Sequence, residues 1–245
     1  MKAMILAAGV GSRLRPLTDR VPKALVEVGG VPMIERVIGR LASAGVTELV
    51  VNLFHLGDRI VEFLASKGDF GLRIQFTREF ELLDTGGGLK NAAWFFDDGR
   101  PFFLHNVDVV SEIDLTALLR FHEDAGPLAT LAVQPRPSSR QLLFDTNGRL
   151  VGRETSEGVE WARGLVVPVE RLGFTGVQVI DPAIFSRMSE TGIFPITRTY
   201  LRLAGEGEQI VAYRADGQYW QDVGSADKLE AARCRIANRL APLDS

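Results

Sequence analysis

The sequence predicts an α/β fold, doubly wound around a mostly parallel sheet, and three observations predict it. Short apolar runs alternate with amphipathic stretches through the first 134 residues, the pattern of βαβ units with helices on both faces of a sheet. The first apolar run breaks directly into the turn Gly9-Val10-Gly11, and loops after a strand's carboxyl end are where open sheets of this class bind ligands. Residues 135–164 then become polar and rich in Arg, Ser, Glu and Gly before apolar runs resume. That stretch reads as a β-rich excursion inserted in the same domain rather than as a linker.

Residues 4–8, 48–52, 72–76, 101–106 and 128–133 are short, apolar and partly β-branched, which predicts buried strands. Between them, 32–44, 57–66, 87–96 and 115–124 carry helical spacing. In the first, Met33, Val37, Leu41 and Ala44 share one face while Glu35, Arg36 and Arg40 fall elsewhere. Inside the excursion, Asp145-Thr146-Asn147-Gly148 separates 142–144 from 150–151, a hairpin signal. Further strands are predicted at 174–180, 209–213 and 219–223. Ser225 caps a long final helix, with Asp227 in its first turn where the dipole favours an acid. An exposed apolar face on that helix would suit a second copy, so a homodimer is one expectation.

At 245 residues, the chain is expected to form a single domain over 1–245. The 28 basic and 31 acidic residues, a net charge of −3, leave no footprint for nucleic acid or an anionic membrane surface. No segment approaches the ~20 apolar residues of a membrane span. Cys234 is the single cysteine, so an intrachain disulfide is excluded and a reducing compartment expected. The apolar run after Met1-Lys2 is too short for a signal peptide, and a cytoplasmic protein is predicted. His55, His105 and His122 are too scattered for a zinc site.

Chemistry concentrates in three places. Gly9 and Gly11 would let backbone approach a phosphate, and Arg13 adds charge. A dinucleotide fingerprint would need glycine at Leu14 and an acid at Asn52, and a Walker loop would need Gly-Lys-Ser/Thr; none is present. Arg13, Arg15 and Lys23 gather on a loop stiffened by Pro16 and Pro22. Such cations suit a triphosphate, the alternative being a solvated basic loop. Asp84-Thr85-Gly86-Gly87-Gly88 places three glycines at a predicted helix start, where a flat nucleobase could lie against backbone or a tight turn could form. Asp108 and Asp222 each end an apolar strand, and together they could hold Mg²⁺. Either aspartate alone would read as a cap or turn residue.

Taken together, residues 6–18 with Pro22-Lys23 resemble the signature of the sugar-phosphate nucleotidyltransferase family. The glycines, the arginine, both prolines and the lysine all stand at the family's spacing. The resemblance extends through 84–88, Asn106 and Asp108, 174–177 and 220–224, covering residues 2–228. It implies a Rossmann-like domain with an added sugar-binding part; because Ser245 follows the final helix closely, the C-terminal β-helix of some relatives is not expected. It also implies an enzyme that joins a nucleoside triphosphate to a sugar 1-phosphate, releasing pyrophosphate, with Mg²⁺ as cofactor. By that resemblance Ala8, Gly9, Gly11 and Arg13 hold the triphosphate, and Lys23 contacts the transferring phosphoryl group. Thr85, Gly86 and Asn106 belong to the nucleotide site, and Asp108 and Asp222 to the metal. Gly176, Glu160 and Trp161 lie toward the sugar. The compact length and the turn from Leu83 to Gly88 most resemble branches using UTP with N-acetylmuramic acid 1-phosphate, which favours UTP; branches using GTP with mannose or heptose 1-phosphate are close rivals. A non-catalytic nucleotide-sugar sensor is a third reading, and the intact Arg13, Lys23, Asp108 and Asp222 set argues against it. Relatives carry glycine before the metal aspartate where this chain has Val107, a side chain that would either crowd the ribose or point into the core.

Overall fold

The computed structural model describes residues 1–240, with side chains described to residue 238. The first half runs β1 (Lys2–Leu6), a small hairpin of β2 (Glu27–Val28) and β3 (Val31–Pro32), α1 (Met33–Ser43), β4 (Glu48–Leu53), α2 (Gly57–Ser66), β5 (Arg73–Arg78), α3 (Asp84–Asn91) and β6 (Phe102–Asn106). The second half runs β7 (Val109–Ser111), α4 (Leu115–Ala125), β8 (Ala129–Gln134), β9 (Gln141–Phe144), β10 (Leu150–Thr155), β11 (Gly158–Trp161) and β12 (Glu170–Ile180). It continues with α5 (Ile184–Arg187), α6 (Ile196–Glu206), β13 (Ile210–Arg214), β14 (Trp220–Asp222) and α7 (Ala226–Leu240).

A ten-stranded sheet organises these elements. β5, β4, β1 and β6 lie side by side in parallel, and β13 pairs in parallel with β8. Of the ten, only β12 and β10 run against the rest, as the antiparallel pairings require. This is the expected mostly parallel, Rossmann-like α/β architecture. The near-continuous apolar runs follow from burial on both faces. Met4, Val50, Phe102 and Leu104 pack on one side with Leu89, Tyr200 and Leu203. Ala3, Ile5, Leu49, Val51 and Phe103 pack on the other with Ile34, Ile38, Leu64 and Leu118. Alternate residues of each strand thus serve opposite layers.

β12 is the pivot between the two halves. Ile180 pairs with both Phe102 of β6 and Ala129 of β8, so those strands occupy its opposite edges. Gly173 pairs with both Gln134 of β8 and Gln141 of β9, so β9 occupies the β6 edge. β9 therefore continues along β12 past the carboxyl end of β6, and the antiparallel β9–β10–β11 excursion stands as a wall above that end.

The structure differs from the sequence reading in informative places. β1 ends at Leu6, freeing Ala7, Ala8 and Gly9 for the loop. The loop itself is wound into short 3₁₀ turns at Ser12–Leu14, Leu17–Asp19 and Lys23–Leu25, with Leu14, Thr18 and Ala24 buried. The helix expected at 87–96 begins at Asp84, so the three glycines lie inside it rather than before it. Close packing explains them: a Cβ on Gly86 would stand 2.4 Å from the Phe194 ring, and one on Gly87 2.6 Å from the Gly192 carbonyl oxygen. Helix α6 was not anticipated, although Ile196, Tyr200 and Leu203 are helically spaced and buried. In α7, Leu229, Ala232 and Ile236 pack against Leu14, Val26, Met33 and Val223. The described apolar stripe of the final helix is therefore internal, correcting the expectation of an open face there.

Two predictions follow from this packing. Gly87→Ala sets a Cβ against backbone that cannot rotate away, so it is expected to destabilise the fold by about 1–3 kcal/mol in urea denaturation. His122 is buried with its Nδ1 2.9 Å from Thr130 Oγ1, and desolvation, opposed in part by Asp181, lowers its pKa from 6.5 to about 4. Unfolded chains then bind more protons than folded ones between those values, so stability falls as pH drops from 6.5 toward 4. Urea midpoints measured across that window should fall less steeply in His122→Gln than in the parent protein.

Candidate active site

The carboxyl end of β6, the segment just past β8, the bulged part of β12, the excursion wall and Arg13 from the loop after β1 enclose a cleft of about 1250 Å³, which Ala8, Gly9, Gly11 and Lys23 flank without lining. Arg13, Thr85, Asn106, Asp108, Glu160, Gly176 and Asp222 all line it. A second groove of about 1090 Å³, beside α1 and β7, is lined by none of the residues expected from sequence.

The two aspartates arrive by different routes. Asp108 occupies the turn between β6 and β7, and β7 pairs antiparallel with β14 so that Val109 faces Asp222. The Val223 N–H donates to the Asp108 carbonyl at 2.8 Å, closing the ladder. Both side chains are 22% exposed, and each has its own lysine: Lys23 on Asp108 and, at 2.5 Å, Lys228 on Asp222. Lys228, one turn into α7, was missed from sequence, because nothing in its spacing from Asp222 announces an ion pair. Gly224 is what lets Arg13 come close: a Cβ there would stand 2.8 Å from Arg13 Nη2 and 2.9 Å from Asp222 Oδ1.

On the loop after β1, Gly9 is exposed, and an added Cβ would meet nothing within 4 Å. Its backbone is therefore open to a ligand. Gly11 sits at φ +66°, with its carbonyl accepting from Leu14 N–H and Thr18 Oγ1, both at 2.8 Å. Ala8 is buried, and the Ala7 N–H donates to Asn52 Oδ1 at 2.7 Å. Asn52 Nδ2 in turn donates to Glu79 Oε1 at 2.6 Å, and Glu79 Oε2 accepts from Leu83 N–H at 2.9 Å. This buried clasp ties the glycine loop to the α3 turn. Asn52 entered the sequence reading only as a missing acid and Glu79 not at all; a carboxylate shortly after a predicted strand was the available signal, and its burial to 7% exposure shows only in the structure.

Thr85 faces the cleft, but its Oγ1 already accepts from Ile196 N–H at 2.9 Å. The Gly86 and Gly87 N–H groups both donate to the Phe194 carbonyl, and Gly86 is buried. Asp84, at φ +60°, lines the cleft beside them. Gly176, at φ +78°, is where the Asn106 side chain rests: a Cβ would lie 2.6 Å from Asn106 Nδ2. Glu160 is held by Arg153 at 2.6 Å. Trp161, next along β11, packs on Gly152 and is not among the cleft-lining residues. Val107 is buried in the core with Val109 and Val177, so it does not crowd the cleft. His105 is fully buried, and desolvation lowers its pKa to about 4; it is neutral at pH 7 and its Nδ1 lies 2.7 Å from the Asn106 carbonyl.

One more residue escaped the sequence reading. Arg136, just past β8, stacks its guanidinium on the Trp220 ring at 3.8 Å and donates to the Phe174 carbonyl at 2.6 Å. The indole N–H of Trp220 donates to the Thr175 carbonyl at 2.7 Å, so both side chains clamp the β12 bulge. Among the described residues no cluster of three or more His, Cys, Asp or Glu side chains could cage a metal, and no helix is long and apolar enough to cross a membrane.

Residues 2–143 match the family model described as nucleotidyl transferase. Among curated proteins, the mannose-1-phosphate guanyltransferase of Gibberella zeae is 32% identical over 98% of this chain and 65% of its own length. That of Candida albicans is 32% identical over 98% of this chain and 66% of its own. The chain thus spans just under two-thirds of these relatives. Among solved structures, HddC from Yersinia pseudotuberculosis, complexed with GMP-PN, superposes with a TM-score of 0.72 at 20% identity, covering 96% of this chain and 99% of that one. The inositol-1-phosphate CTP transferase from T. maritima gives 0.74 at 17% identity, covering 98% and 97%; both likenesses speak to the fold. With its glycine loop, paired aspartates and family match, this chain belongs to the nucleotidyl transferase family.

Proposed function

We propose that this protein transfers a guanylyl group from GTP to mannose 1-phosphate, releasing pyrophosphate and forming a nucleotide sugar. The observation that carries the reaction class is the convergence of Asp108 and Asp222, each countered by a lysine, beside the open glycine loop and Arg13. The substrate pair is supported by the names of eight curated relatives that match over nearly the whole chain, each a mannose-1-phosphate guanyltransferase. UTP, which the compact length and the turn from Leu83 to Gly88 favour, finds no such support, and GTP takes its place.

The chemistry is an in-line displacement. An oxygen of the acceptor phosphate forms a bond to the α-phosphorus of the nucleotide while the bond to the pyrophosphate oxygen breaks, and the electron pair leaves with pyrophosphate. The Gly9–Gly11 backbone and Arg13 bind the leaving phosphates, and Lys23 meets the transferring phosphoryl group. Asp108 and Asp222 fit Mg²⁺: they are two hard carboxylates on neighbouring backbone positions, and Mg²⁺ takes one or two carboxylates and completes its shell with phosphate and water. When bound, it would neutralise charge on the phosphates. The residues themselves position and desolvate the reactants, which can account for a large share of the acceleration.

Pyrophosphate release with Mg²⁺ tests this across GTP, UTP, dTTP, CTP and ATP, each against mannose, heptose, glucose, N-acetylglucosamine and N-acetylmuramic acid 1-phosphates. GTP with mannose 1-phosphate should turn over fastest, and Asp108→Asn should lower kcat by about 100-fold or more while the circular dichroism spectrum stays unchanged. Fastest turnover with another pair would overturn the substrate assignment. Silence across the panel from folded protein that still binds nucleotide would point to a sensing subunit.

A further inference from the structure

The cations expected from sequence all lie on one side of the cleft. Arg13 and Lys23 sit on the loop after β1, and Lys228 is committed to Asp222. Moving across the sheet from that loop, the chain presents the end of β6 with Asn106, then the β12 bulge with Gly176, then the end of β8. Three strand spacings, about 14 Å, separate β1 from β8. An in-line displacement places the attacking and leaving oxygens on opposite sides of phosphorus, so the acceptor phosphate must enter from the side away from Arg13. Arg136 follows the end of β8, three strands across the sheet from the loop that carries Arg13.

We propose that Arg136 binds the phosphate of the incoming sugar 1-phosphate, opposite the loop that holds the departing pyrophosphate. The inference rests on the transfer reaction proposed above and adds the residue that receives the acceptor. Its guanidinium is held flat on Trp220 and anchored through one N–H to the Phe174 carbonyl. A stacked guanidinium still presents its outer N–H groups in the plane, where a phosphate oxygen can meet them. Nη1 is the group left to do so, with only a 3.5 Å contact to the Pro137 carbonyl; Nε, also without a partner, is buried against Gly173. No carboxylate lies within 4.0 Å of it among the described ion pairs, whereas Arg153, also in the cleft, is taken by Glu160. Burial lowers the pKa of Arg136 and the nearby Asp222 raises it; an arginine under those influences stays charged at neutral pH. Gly173 makes the placement possible, because a Cβ there would strike the Arg136 side chain at 2.8 Å.

The test compares Arg136→Met, which keeps an unbranched chain over Trp220 without charge, with Arg136→Lys. In steady-state kinetics, Arg136→Met should raise KM for mannose 1-phosphate about tenfold or more and leave KM for GTP within about twofold. Arg136→Lys should recover part of the loss. A purely structural strut would instead raise both KM values together with a fall in Tm, and that result, or no change in either, overturns the proposal. Calorimetric titration with mannose 1-phosphate separates this from failure of the reaction itself. If the parent protein turns over no substrate pair, binding that disappears in Arg136→Met still supports the anion site, and binding that survives overturns it.

Discussion

Two like charges side by side are the constraint on which the rest of the site depends. Asp108 and Asp222 come from segments more than a hundred residues apart, yet the short β7–β14 ladder sets them on neighbouring backbone positions. Carboxylates so placed repel one another unless cations intervene, and the fold supplies Lys23 from one side and Lys228 from the other. Each lysine is delivered by an element with its own structural reason. Lys23 sits on the 3₁₀ turn that buries Ala24, and Lys228 on α7, whose apolar stripe packs on Leu14, Val26 and Met33. The site is thus assembled by the third core cluster as much as by the sheet.

β12 gives the cleft its other wall. By pairing with β6 near its end and with β9 beyond, it lets an antiparallel excursion grow directly over the carboxyl edge of a parallel sheet. The register slip between Phe174 and Gln178 puts Gly176 at φ +78°, turns the backbone toward Asn106, and exposes the carbonyls that Arg136 and Trp220 use. Bulges re-aim side chains beside functional sites, and here one bulge anchors both.

Much of this was legible in the sequence, for physical reasons. Buried parallel strands must be apolar on both faces, so the runs at β1, β4, β6 and β8 were visible, and the spacing over 57–66 matches α2, Gly57–Ser66. The glycine loop and the two aspartates were visible as a set at one family's spacing; either aspartate alone would have read as a cap or turn residue. What escaped depends on tertiary contact. The glycines at 86–88 looked like room for a ligand and proved to be room for Phe194, Gly192, Asn52 and Glu79. Asn52 and Glu79 acquire meaning from each other, 27 positions apart, and Arg136 from Phe174, 38 positions away; Lys228 is near Asp222 in sequence, but only the start of α7 aims it back at that carboxylate. The apolar stripe of α7 was visible as a stripe, but not the surface it covers.

The most direct measurement is a crystal structure of the protein soaked with Mn²⁺ and a guanosine nucleotide sugar, with anomalous scattering used to locate the ion. An anomalous peak in contact with both Asp108 and Asp222 and with the nucleotide phosphates is expected. A peak that touches neither aspartate, with Lys23 still paired to Asp108 and Lys228 to Asp222, would contradict the paired-carboxylate site at its foundation.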